Sequence, residues 1–149
     1  MSKSLDSIDS FCMSATMVVE TADPSILAKI EGQLAFMDVA LMALEKDRGD
    51  SAMFKQIARS VQSIRGACRN WGLAEMELLA CDLSDWLAQL RGVGVEMTDE
   101  QLVLVQRCTT AFQAALASEM QDLPVPETLR SVNDEVRRTV HESMLMTAS

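Results

Sequence analysis

Tyrosine is absent from the 149 residues, histidine occurs once, proline three times and glycine six times. Strands draw on aromatic and β-branched residues and hairpins on turn formers, so an aromatic content of 4% excludes an all-β fold and favours helices throughout. A single histidine, His141, removes most metal sites and the Ser-His and Cys-His nucleophile pairs, so neither a metal nor a cofactor is expected. The four cysteines, Cys12, Cys68, Cys81 and Cys108, form no CxxC pair and occupy apolar periodic positions, which reads as buried thiols. No basic start leads into an apolar run, and no apolar stretch of about 18 residues could span a bilayer. Cytoplasmic placement is the resulting expectation. Positive charge is also scarce: the net charge of −9 and a pI near 4.5 argue against nucleic acid and anionic membranes as partners.

What the chain does have is apolar recurrence in steps of three and four, the mark of a helix with one buried stripe. A first helix over about residues 5–20 would carry Leu5, Ile8, Cys12, Ala15 and Val19 on one side. Asp23 and Pro24 then supply an N-cap and a preformed first residue for a helix with Leu27, Ile30, Leu34, Met37, Leu41 and Leu44. A third segment, from Ser51 to a closing Gly72, buries Phe54, Ile57, Val61, Ile64, Cys68 and Trp71. The fourth, from Ala74 to about Leu90, buries Met76, Leu79, Leu83, Trp86 and Leu90 and stops at Arg91-Gly92-Val93-Gly94. Thr98 and Gln101 form a capping box for the fifth, whose stripe is Leu102, Val105, Thr109, Phe112 and Leu116. Beyond Pro124-Val125-Pro126 a last helix carries Leu129, Val132, Val136 and Val140.

Four long helices with short connections bury their stripes against one another, which predicts an all-α, up-and-down antiparallel four-helix bundle over residues 23–122. Residues 1–22 and 123–149 are read as accessory helices, the second set off by the proline hinge.

Between Asp50 and Glu75 there is no acid, but there are Lys55, Arg59, Arg65 and Arg69, which makes this segment locally +4 in an acidic chain. Gln62 lies among these cations, and Gly66 follows it by four residues. Glycine within a helix costs about 1 kcal/mol against alanine, so its presence calls for a close approach. The plain alternative is a solvated strip balancing acids on neighbouring helices, with Gly66 easing their packing.

Gln62-Ser63-Ile64-Arg65-Gly66, with Gly72 six residues on, resembles the signature of histidine phosphotransfer (HPt) domains, in particular the N-terminal phosphotransfer domain of CheA-type chemotaxis kinases. The run Leu41 to Asp50, then Phe54, Ile57 and Ala58, is similar to the family's approach to that signature. The likeness covers about Ile26 to Leu116. It implies an HPt-like bundle in two-component signalling, with Gln62 at the position of the phosphorylated histidine. A carboxamide has no free nitrogen lone pair to accept a phosphoryl group, so the resemblance implies a degenerate, non-phosphorylatable member. Arg65 replaces the family's lysine and keeps its charge. The supporting His and Glu of the following helix fall at Cys81 and Ser84, neither of which orients an imidazole.

The functional expectation is a binding module and not an enzyme. The basic face of Lys55, Arg59, Gln62, Arg65, Gly66 and Arg69 would dock a response-regulator receiver domain, whose phosphorylation site is acidic, or a histidine kinase. The alternative is a helical scaffold that self-associates through a terminal helix, the first or the last, the last offering the seam of Leu129, Val132, Val136 and Val140. A displaced acceptor, Ser63 or His141, is the enzymatic reading and lacks the surrounding motif.

Overall fold

The computed structural model describes residues 24–93 and 96–148, and among them the chain is helical with no strand: α1 (Pro24–Lys46), α2 (Ser51–Asn70), α3 (Ala74–Val93), α4 (Asp99–Met120) and α5 (Glu127–Ala148). The helix expected over residues 5–20, with Cys12, and the Asp23 cap lie outside the described residues.

Local chemistry sets most of the boundaries. Pro24 opens α1, where its missing N–H is no loss. Asp50 caps α2, its carboxylate accepting from the Met53 N–H at 3.2 Å. At the other end Gly72 takes φ +71°, and the Leu73 N–H reaches back to the Cys68 carbonyl at 2.9 Å, closing a Schellman turn. The capping box of α4 forms, with Thr98 and Gln101 side chains each accepting from the other's backbone N–H. Asp122 closes α4 in the same way as Gly72 closes α2, with φ 58° and a 2.8 Å bond from the Leu123 N–H to the Ser118 carbonyl. Helix α3 runs through Arg91 and Gly92 to Val93, past the expected stop, since an exposed glycine weakens a helix without ending it.

The apolar stripes meet in one core. Ile30, Leu44, Ile57, Ile64, Leu79, Leu83, Val105 and Phe112 are wholly buried, and Trp86 is 1% exposed. Two expected core residues sit higher: Phe54 and Leu90 are only partly buried against the cluster. Trp71 is half-buried outside it, because the chain leaves the α2 axis there and the Trp71 N–H caps the Ala67 carbonyl.

Side-chain pairs give the directions. From Gln62 to Arg69 is seven residues forward on α2, and their partners Ser84 and Glu77 are seven back on α3, so α2 and α3 run antiparallel. Gln106 and Gln113 on α4 meet Glu45 and Asp38 on α1 in the same reversed order. Glu75 and Asp82 on α3 meet Arg130 and Arg137 on α5 in the same order, so these two run parallel.

Helix α1 packs against α2 and α4, α3 against α2 and α5, and α5 against α3 and α4, with α3 and α4 touching sparsely. No other pair of these helices comes within 8 Å between Cα atoms. The last helix therefore stands between α3 and α4, with Leu129 at 1%, Val132 at 6% and Val136 at 0% exposure in the common core. Asn133 is buried beside them and donates to Asp82 at 2.6 Å. The seam that a dimer through α5 would use is thus occupied by the chain's own α3 and α4. Swapping it to a partner would require α5 to leave the core.

Candidate functional site

The 3.6-residue repeat turns Ile57, Val61, Ile64 and Cys68 inward on α2 and leaves the opposite arc to Lys55, Arg59, Gln62, Gly66 and Arg69, with Arg65 at its edge. Arg65 is half-buried and the other five are exposed. Because α5 does not approach α2, none of the described elements beyond α1 and α3 borders this face. A Cβ built on Gly66 would meet nothing within 4 Å. The glycine therefore does not serve packing among the described residues, and the helix backbone lies open at that point.

Gln62 is tied to the neighbouring helix. Its amide Nε2 donates to the Ser84 Oγ at 2.7 Å, so two of the positions singled out from the sequence are in direct contact. Ser84 is 9% exposed, and the bond satisfies a hydroxyl that packing would otherwise strand. Cys81 sits one turn earlier on α3. It is half-buried, where the sequence reads as a buried thiol, and it interacts with the Arg69 guanidinium.

The cations divide into two groups. Arg69 Nε donates to Glu77 Oε2 at 2.8 Å, and that hydrogen bond, followed by the charge of Glu77, raises the guanidinium's pKa further above its usual value. Arg69 is thus spoken for within the fold, as the plain reading of the strip required. Lys55, Arg59 and Arg65 have no ion-pair partner among the described residues. On α3, Glu75 pairs with Arg130 and Asp82 with Arg137, both on α5.

Cys68, beneath the face, is fully buried, and burial, with smaller contributions from Glu77 and Cys81, pushes its thiol up to about 12. His141 is exposed on α5, a helix that does not touch α2. Among the described residues no group of three His, Cys, Asp or Glu gathers to hold a metal ion, and no helix is long and apolar enough to cross a membrane.

No protein-family model matches the chain, and no curated protein matches it significantly.

Two features escaped the sequence reading. A 310 Å³ cleft at the start of α2 is lined by Arg48, Lys55, Phe54, Leu90, Arg91 and Met97 among others, so Lys55 borders a concavity as well as the strip. Arg48 there pairs with Asp99 at 2.6 Å while its Nε lacks a partner. Helix α1 also presents a second apolar face: Phe36, Val39 and Met42 are 55%, 64% and 61% exposed. A stripe search finds the buried side of a helix and passes over an outward one.

Proposed function

We propose that the protein is a non-phosphorylatable HPt-like binding module of two-component, chemotaxis-type signalling. On this reading α1 to α4 are the up-and-down helices of an HPt-like bundle whose side between α3 and α4 is filled by α5, and the face around Gln62 docks an acidic receiver domain or a histidine kinase without passing on a phosphoryl group. The observation that carries it is the open α2 face: Gln62 hydrogen-bonded to Ser84, an uncovered Gly66, and Lys55, Arg59 and Arg65 without ion-pair partners among the described residues. Three cations without ion-pair partners among the described residues keep this face positive on an acidic protein, which favours an acidic partner. Gly66 lets a partner's surface come against the helix backbone. Gln62 supplies a neutral amide where chemistry would need an imidazole, so the module acts by occupancy, competing for or modulating its partner.

The scaffold alternative draws less support through the last helix, because Leu129, Val132 and Val136 of that seam are buried within the chain.

The test is binding of the purified protein to isolated receiver domains and kinase phosphotransfer partners, followed across ionic strength. Binding should weaken as salt rises and should be lost in Arg65→Glu and in Gly66→Arg. Binding indifferent to salt and to both substitutions, or no binding to any receiver or kinase of the same genome, overturns the reading.

A further inference from the structure

Helix α1 is apolar on both sides. Its inner stripe fills the core, while Ala28, Gly32, Ala35, Val39 and Met42 are exposed on the outside in alternating steps of four and three. That alternation is the a/d seam of a heptad repeat, the pattern against which a second helix packs. A Cβ built on Gly32 meets nothing within 4 Å, so the first half of the seam is shallow enough for another helix to lie close. The second half carries the large side chains, Val39 and Met42.

One flank of this seam is acidic. Glu31, Asp38 and Glu45 recur every seventh residue on the edge toward α4, where Asp38 and Glu45 accept from the Gln113 and Gln106 amides at 3.0 and 3.1 Å. Neutral amides leave those charges standing, and none of the three acids has an ion-pair partner among the described residues. A cleft of about 320 Å³ opens between α1 and α4 along the same edge, lined by Glu31, Ala35, Asp38 and the exposed Met120 among others.

Flanking charges select the partner, because they lie beside the flank of whatever helix fills the seam. A second copy of the chain is a poor match. Paired antiparallel, the acidic row lies along itself; paired parallel, it lies along Lys29, Phe36 and Ala43, a row with one cation. We infer that the outer face of α1 docks an amphipathic helix of another protein, apolar on its inner side and carrying lysine or arginine at seven-residue intervals on the flank beside α4. From Ala28 to Met42 the seam runs about 21 Å, so about four turns of that helix cover it. The inference does not depend on what α2 binds, since it concerns a different helix and a partner of opposite charge.

Two synthetic helical peptides of about three heptads serve as probes, with one alanine and leucine seam and either lysine or glutamate on both flanks. By fluorescence anisotropy at low salt, the lysine peptide should bind the full chain roughly tenfold or more tightly than the glutamate peptide, the worth of about three exposed ion pairs. Replacing the acidic row by Glu31→Lys, Asp38→Lys and Glu45→Lys together should reverse the preference, and the milder Glu31→Gln, Asp38→Asn and Glu45→Gln together should largely remove it. Gly32→Gln, which fills the shallow part of the seam without a change of charge, should weaken the lysine peptide. No binding of the lysine peptide, a lysine preference that survives the charge changes, or binding indifferent to Gly32→Gln overturns the inference. So does a dimer of the chain alone in sedimentation equilibrium that Val39→Asn breaks, since the face then belongs to a second copy.

Discussion

Leu129→Ala measures whether α5 is an appendage or part of the core. Leu129 is 1% exposed and belongs to the cluster that includes α3 and α4 side chains. Truncating a buried leucine costs about 2–5 kcal/mol, the lost transfer energy plus whatever cavity remains. Helix α5 has α3 on one side and α4 on the other and ends the fold, so partial collapse onto the truncated site brings the value to about 3 kcal/mol. For a chain of 149 residues each kcal/mol moves the melting temperature by about 2–4 °C, which gives a fall of about 6–12 °C. A total stability of about 5–15 kcal/mol leaves the variant folded at room temperature. Thermal unfolding followed by far-ultraviolet circular dichroism reads the shift directly, with Met120→Ala, at a site 59% exposed, as the control that should barely move. A fall of less than about 2 °C for Leu129→Ala would show that α5 contributes little to the core and that its placement between α3 and α4 is wrong.

Thiol reactivity should follow burial: in the native protein a water-soluble disulfide reagent should modify Cys81 well before Cys68 and Cys108, whose thiols burial pushes up to about 12, and all three should react together in denaturant. Equal native rates would contradict the packing. The Arg130 hydrogen bond holds the Glu75 carboxyl below the usual carboxylate range. Its contribution to docking α5 is therefore present above that range and lost as pH falls through the lowered pKa. The acid limb of a stability-against-pH curve should accordingly flatten in Glu75→Gln, and an unchanged limb would remove the pair from the account. At the two left-handed helix ends, Gly72→Ala should destabilise and Asp122→Gly stabilise, each by about 1 kcal/mol in chemical denaturation. Shifts of the opposite sign would contradict the backbone geometry.

Much of this architecture was legible in advance because burial follows helical periodicity so closely here. The stripes of α1 and α4 lie in the core as spaced, and Thr98 with Gln101 marks the start of α4 to the residue. Asp122 went unread because aspartate adopts a left-handed conformation only when its neighbours impose it. The position of α5 was equally invisible: Leu129, Val132 and Val136 announce a buried face without naming what buries it. The candidate site was legible in its residues and not in its electrostatics. Arg69 belongs to the strip by spacing, yet only the register of α2 against α3 brings it to Glu77. The same register puts Ser84 under Gln62, a contact twenty-two residues apart that local patterns do not carry.

The place of α5 has a consequence for biosynthesis. Helix α2 can meet α1 as soon as both have left the ribosome, but the gap between α3 and α4 stays unfilled until Leu129 and Val136 have been made, some seconds later at ordinary elongation rates. During that interval Trp86 and Leu104, which border Glu135 and Thr139 of α5 in the finished fold, lack that cover on a nascent chain, where chaperones that recognise apolar segments would find them. Completion of the fold therefore awaits its final helix.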